Sequence, residues 1–398
     1  MRILKIVCKN VRGFREPIEI NFDTSDRVRS SSQMNEFDAP VFKLKEGLYT
    51  QVILGFVGLN ATGKTTSLEL ISLVLHVVLQ GKRLDYGDNH RILRKLQAED
   101  GTPMEWEIYF VRDKFVYQLW SKIAFHRDVG GFYFEDEILR EKSLTTTSKS
   151  NLYDFSKTKE KTNRKNEENS PFLRKEASIA VWKEEYEGVI CSTEQTVNYN
   201  RPYWIGRPDT VLLQCFDPNI KDIHIAPDET GSNGGQMTIA FKNRKNAYTG
   251  EANILGNHLL SSGTIKGLSL LPAMVSVFKH GGYLIIDEME NHLNKKLIQW
   301  FLEMFTDVRI NPHGACLIFS THYPELLDSF TRKDNILVMR RDDENYLRCT
   351  RFSDAVKRNE LSRSKIILSN FIKGTAPSYE DISRAKRRIK EYVSREIP

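Results

Sequence analysis

Cysteine is scarce. The five in 398 residues, Cys8, Cys191, Cys215, Cys316 and Cys349, form no close pair, which argues against both a disulfide framework and a zinc site. A reduced, cytoplasmic setting is expected. Long apolar runs are missing as well. The most apolar stretch, residues 68–79, is too short to span a bilayer, and the N-terminal MRILKIVCKNVRGF alternates apolar and charged residues where a secretory leader would carry a continuous apolar core. No membrane segment is expected. A sustained heptad pattern is absent, against a long coiled-coil arm, and there is no internal repeat. Nor does charge of one sign dominate. A net charge of +6 with 28% charged and 40% hydrophobic residues is an ordinary globular composition that permits a nucleotide or nucleic-acid partner without requiring one.

What is present begins with alternating α and β signals. Residues 3–7 and 18–22 read as short strands around a turn at Gly13, an antiparallel edge. Residues 51–57 (QVILGFV) form a continuous apolar run ending at a glycine, as in a fully buried parallel strand, and the apolar residues 67–79 are the helix after it. From Met104 to Phe134 the runs become alternating and aromatic-rich between Asp-Lys and Gly-Gly turns, which predicts an antiparallel sheet laid over this region. Residues 143–174 are rich in Ser, Thr, Lys, Asn and Glu, a flexible insertion or an exposed appendage by composition. GSNGG at Gly231 reads as a hairpin or surface loop. After Leu268 the order is helix (LSLLPAMVSVFK), strand (YLIID), helix (KKLIQWFLEMF), strand (ACLIFST), helix (YPELLDSF) and strand (NILVMR), which means a parallel sheet with helices on its faces. Residues past Arg351 form a basic tail with an exposed helix from Ser383. The expected division is a lobe at 1–142, a polar insertion at 143–208, a second lobe at 209–350 and the tail at 351–398.

The chemistry concentrates in four short segments. GLNATGKTT at Gly58 satisfies G-x-x-x-x-G-K-[ST] between a strand and a helix. Its glycines let backbone N–H groups curl around phosphate oxygens, Lys64 reaches the β and γ phosphates, and the Thr65 hydroxyl ligates Mg²⁺. Asp287 and Glu288 close an apolar strand, at the edge where open parallel sheets bind ligands. There Asp287 suits the Mg²⁺ shell, and Glu288 suits the water that attacks the γ phosphate. His322, at the end of a strand placed beyond the Asp-Glu strand, is expected to sense the γ phosphate and orient that water. Ser261, Ser262 and Gly263 open a helix whose free N–H groups can bind an anion, although taken alone an ordinary serine N-cap is the better explanation of them.

GLNATGKTT, LSSGT, LIIDEMEN and FSTH, in this order, resemble the ATP-binding-cassette ATPases, and more closely their soluble SMC-like and overcoming-lysogenization-defect-like branch. KIVCKNVRGFREPIEINF is similar to the N-terminal strand pair of that branch, whose asparagine and phenylalanine fall at Asn10 and Phe14. The resemblance implies an α/β cassette head with a mainly parallel core sheet, helices on its faces and an antiparallel β subdomain. It implies ATP and Mg²⁺, with Gly58, Asn60, Gly63, Lys64, Thr65 and Thr66 on one nucleotide and Ser262, Gly263 and Thr264 on the nucleotide of a head-to-tail partner. Glu288 and His322 would be catalytic, and Thr65 and Asp287 would hold the metal. LSSGT in place of LSGGQ leaves Lys266 as an extra phosphate contact, Asn294 replaces the usual Asp or His of the loop, and Gln118 is the weak candidate for the metal-sensing glutamine.

Members of that branch often carry a nuclease domain after the histidine motif. Residues 323–398 lack its acidic pattern, which favours an ATPase that serves a separately encoded effector, a nuclease or toxin, in bacterial anti-phage defence. The alternative is an SMC-like ATPase of DNA maintenance, which would bind DNA through its basic surface. A transporter subunit fits least.

Overall fold

The computed structural model describes the chain except residues 29–39, 129, 168–172, 182–187, 193–206, 227–234, 358–360, 378 and 395–398. The glycine-rich segment at Gly231 therefore lies outside the described residues but for Gly235.

A six-stranded sheet forms the centre, in the order Val189–Ser192, Gly282–Ile286, Cys316–Thr321, Ile53–Val57, Ile336–Arg341, Leu347–Arg351. The first five run parallel and the last is antiparallel. Strand side chains alternate between the two faces, so a sheet covered on both sides needs unbroken apolar runs. This sheet is covered on both. Leu54, Phe56, Ile285, Ile318, Leu337 and Met339 enter one core, while their neighbours Ile53, Val57, Leu284, Ile286, Leu317 and Val338 enter the other.

The first core is shared with a second, wholly antiparallel sheet of Ile18–Asn21, Arg2–Lys9, Met104–Arg112, Phe115–His126, Gly131–Ser143 and Glu160–Asn163. The N-terminal strand pair and the aromatic-rich strands thus belong to one sheet. The helix Lys64–Val74, continued by a π-helical turn at Leu75–Leu79, is enclosed in this core. Leu70, Ile71, Leu73, Val74, Leu75, Val77, Val78 and Leu79 are all fully buried. This accounts for the apolar run at 68–79, which lacks the polar stripe of a surface helix.

The second core packs helices Ser262–His280 and Lys295–Thr306 under a three-stranded sheet, Ile220–Ala226, Gln236–Phe241 and Tyr248–Glu251. Helix Lys295–Thr306 buries Ile298, Phe301, Leu302 and Phe305, the i, i+3, i+4, i+7 stripe of a helix lying on a sheet.

The polar segment after Ser143 departs from its composition. Leu152 and Phe155 are buried. Arg164 pairs with the fully buried Glu137 at 2.6 Å, and Ser178 Oγ and the Ile179 N–H donate to the same carboxylate at 2.8 and 3.0 Å. A few anchors hold a stretch that has little apolar content. YPELLDSF forms a 3₁₀ turn, Pro324–Ser329, and the exposed helix of the tail runs from Tyr379 to Ser394 with no buried residue.

Candidate active site

The site forms at the carboxyl edge of the central sheet. Residues 58–65 leave strand Ile53–Val57 and turn directly into helix Lys64–Val74. The turn is tight. Gly63 has φ of 90° and Ala61 of 58°, and a Cβ on Gly58 would lie 2.1 Å from the Met339 carbonyl oxygen. Gly63 also packs against Phe14 and Leu347, so the N-terminal segment touches the loop. No side chain caps the helix and no acid occupies its first turn, which leaves its N–H groups and dipole to an anion.

Lys64 is buried, with Nζ donating to the Gly58 and Leu59 carbonyls at 2.8 Å each and lying 3.3 Å from His322 Nδ1. An ammonium has no acceptor, so Nδ1 accepts and the ring proton sits on Nε2. That nitrogen lies 3.6 Å from Glu288 Oε1. His322 therefore lies between the phosphate-loop lysine, which it contacts, and the strand-end glutamate. Burial lowers the Lys64 pKa to about 8, with Asp287, Glu290 and Glu288 acting in the opposite direction.

Thr65 Oγ1 donates to Asp287 Oδ2 at 2.7 Å. A hydroxyl and a carboxylate side by side are the hard oxygen donors that Mg²⁺ takes alongside substrate phosphates, so the pair fits that ion. Among the described residues no group of three or more His, Cys, Asp or Glu side chains could hold a metal unaided.

Strand order brings these groups together. The strand ending at His322 lies between the phosphate-loop strand and the Asp-Glu strand, not beyond the latter as its place in the sequence suggests. The inserted strand also supplies a residue of FSTH to which the sequence assigned no role. Ser320, fully buried, donates to Asp287 Oδ1 and accepts from the Glu288 N–H at 2.8 Å. Glu288 is held at φ of 47°, a left-handed conformation that side chains adopt at a cost. Its carboxylate accepts from Asn291 Nδ2. Glu290, a residue of LIIDEMEN likewise given no role by the sequence, is buried and accepts from the His322 backbone N–H at 2.5 Å.

LSSGT opens helix Ser262–His280. Ser261 is its N-cap, accepting from the Thr264 N–H at 3.1 Å, so the ordinary capping role is realised. Ser262 stays exposed while Thr264 is buried beside Ser261 Oγ, 2.8 Å away. Lys266, expected to reach a phosphate, points inward instead and bonds to the Glu288, Met289 and Asn291 carbonyls at 3.3, 3.3 and 2.7 Å. Three carbonyls satisfy an ammonium with three donors. Asn294 caps helix Lys295–Thr306 through the Leu297 N–H at 3.0 Å. Gln118 lies in the antiparallel sheet, bonded to Glu107 and 3.3 Å from the Tyr109 hydroxyl. Asn60 is exposed on the loop, and Thr66 is half-buried at the start of the helix that follows.

Two comparisons bear on this arrangement. Residues 206–328 match the family model described as "AAA domain, putative AbiEii toxin, Type IV TA system". That span contains LSSGT, the Asp-Glu strand and His322, and it excludes the phosphate loop. No curated protein matches the chain. The mixed α/β architecture with its mainly parallel sheet fits an AAA or cassette ATPase fold, and the matched segment is similar to an AAA domain of the abortive-infection type.

Proposed function

We propose that the chain is an ATPase that closes head to tail with a second copy around ATP and controls a separate effector, a nuclease or toxin, in bacterial anti-phage defence. The observation that carries the ATPase reading is the joining of Lys64, Thr65, Asp287, Glu288 and His322 at one sheet edge by contacts of 2.7–3.6 Å. The defence reading is supported by the description of the matched family.

In this reading, residues 58–65 and the helix behind them hold the phosphates, and Lys64 turns from the Gly58 and Leu59 carbonyls toward them. Mg²⁺, held by Thr65 and Asp287, would neutralise charge building on the phosphate oxygens. Glu288 takes a proton from the attacking water as its oxygen bonds to the γ phosphorus and the bond to the departing ADP breaks. His322, beside both Lys64 and Glu288, senses the γ phosphate and orients the attacking water. Ser262 and Gly263 serve the partner's nucleotide through the N–H groups at their helix start.

Glu288→Gln should abolish phosphate release while ATP stays bound, since the amide keeps the shape and loses the base. Retained turnover would remove Glu288 from this role. Mixing Lys64→Met with Ser262→Arg chains should restore part of the activity if each site takes one residue from each copy, and no rescue under proven mixing counts against the head-to-tail arrangement. The rival reading, DNA maintenance, has one observation behind it. Helix Tyr379–Ser394 exposes Arg384, Lys386, Arg387, Arg388 and Lys390, and salt-sensitive duplex binding that these residues control would favour it.

A further inference from the structure

The loop at residues 288–292 is built against the helix that LSSGT opens. Glu288 and His292 both have left-handed backbones, with φ of 47° and 64°. Four carbonyls of this loop lie against one helix, although that of Glu288 also accepts from the Asn291 N–H at 3.0 Å. Those of Glu288, Met289 and Asn291 accept from the buried Lys266 ammonium. The His292 carbonyl approaches Gly263 so closely that a Cβ there would stand 2.6 Å from its oxygen. The Glu290 carbonyl turns elsewhere, to the Leu293 N–H at 3.2 Å. The helix start therefore grips both ends of the loop, and the same loop carries the Glu288 carboxylate and, through Glu290, the backbone of His322.

We infer that Lys266 is a positioning residue that couples the two nucleotide sites: it ties the orientation of Glu288, beside its own chain's nucleotide, to the seating of Ser262 and Gly263 on the partner's. This rests on the ATPase reading above. Interface helices shift by about 1–2 Å in switching transitions, far more than N–H···O bonds tolerate, and the Lys266 bonds to Glu288 and Met289, at 3.3 Å, are already long. A helix moved by that much carries the three carbonyls with it or releases them. Where the loop follows the helix Glu288 is displaced, and where the bonds break the loop that carries Glu288 loses three of the contacts that hold its backbone; by either route the site on one side responds to occupancy on the other. A phosphate contact, the role expected of Lys266, would have left the ammonium near the exposed Ser262 end of the helix.

Lys266→Met keeps the unbranched apolar stem, one atom shorter, and removes all three donors. The test measures steady-state phosphate release against ATP concentration, binding of a fluorescent non-hydrolysable ATP analogue, and thermal unfolding, in the full chain. The expected result is a fall in kcat of about tenfold or more and a Hill coefficient reduced to one, with analogue affinity within about threefold of wild type. Lys266→Arg keeps the charge and carries the test should the methionine chain not fold. Its rigid planar fork does not converge on three carbonyls, so kcat and the Hill coefficient should lie between those of the other two chains. Wild-type kcat and cooperativity in either variant overturns the inference. So does a loss of kcat matched by equal losses of analogue affinity and thermal stability, the mark of a merely structural staple. A wild-type chain that hydrolyses ATP with a Hill coefficient of one overturns the coupling and leaves the ATPase intact, while one that hydrolyses none overturns the ATPase reading itself.

Discussion

Ser320→Ala offers a sharp test because this hydroxyl does two things at once. It accepts from the Glu288 N–H at 2.8 Å and donates to Asp287 Oδ1, in a position with no solvent access. Removing the oxygen leaves one buried donor without its partner, which costs about 1–3 kcal/mol. It also releases a strained residue. Glu288 at φ of 47° carries roughly 1–2 kcal/mol relative to a right-handed backbone, and such a conformation persists only where its surroundings over-determine it. One restraint would remain on the adjacent amide, the Met289 N–H to the Ser320 carbonyl at 3.0 Å. If about 2 kcal/mol of the loss is felt as displacement of Glu288, kcat falls by roughly 30-fold. ATP affinity should change less, because residues 58–65, which hold the phosphates in this reading, make no bond to the Ser320 hydroxyl. Phosphate release and equilibrium binding of an ATP analogue separate the two effects. Ser320→Thr keeps the hydroxyl and should retain more activity. A kcat for Ser320→Ala within about twofold of wild type would refute the reasoning, since it would mean that Glu288 needs no support from the inserted strand.

Three further outcomes follow from the same geometry. Gly58→Ala places a methyl 2.1 Å from the Met339 carbonyl oxygen, so strand or loop must shift; a loss of about 1–3 kcal/mol in chemical unfolding is expected, together with weakened ATP binding, and an unaltered midpoint would contradict the close approach. Arg164→Ala strips the partner from the fully buried Glu137, which should cost about 3–5 kcal/mol and speed proteolysis after Ser143, so an unchanged cleavage pattern would show that the segment is held by other contacts. Lys266 gives a pH signature. Burial lowers its pKa to about 8, against the pull of Glu290, Glu288 and Asp287, so between that value and its unfolded pKa of about 10.4 the unfolded chain binds more protons. Stability from this group therefore rises with pH across that window and is fully penalised below it. Denaturation of wild type and Lys266→Met from pH 7 to 10 should show wild type gaining by up to about 3 kcal/mol relative to the variant, and parallel curves would mean that the ammonium keeps its ordinary affinity for protons.

The parts of this molecule that could be read in the sequence are those where chemistry and local structure depend on neighbours in the chain. The phosphate loop is one. QVILGFV followed by GLNATGKTT and an apolar helix contains its own strand, turn and helix start, and the structure places the Lys64 ammonium and the Thr65 hydroxyl on the sheet edge where Asp287 also emerges. The alternating order after Leu268 likewise yields a parallel sheet, because short connections leave few ways to pack such units.

What could not be read is non-local. Nothing in FSTH says that its strand runs between the other two, yet that insertion puts His322 between Lys64 and Glu288 and brings Ser320 to Asp287. The polar segment misled for the opposite reason. Composition averages over a window, whereas one buried pair, Arg164 with Glu137, and two apolar side chains, Leu152 and Phe155, are enough to fasten it. Lys266 combines both failures. Its charge suggested a ligand in solution, but a lysine one turn into a helix is set by what the helix lies on, and here it lies on a loop whose carbonyls require donors. A cation in a signature segment can therefore serve the backbone that positions the chemistry as readily as the phosphate undergoing it. The two roles are distinguished by burial and by the number of carbonyls within reach, quantities that only the folded chain defines.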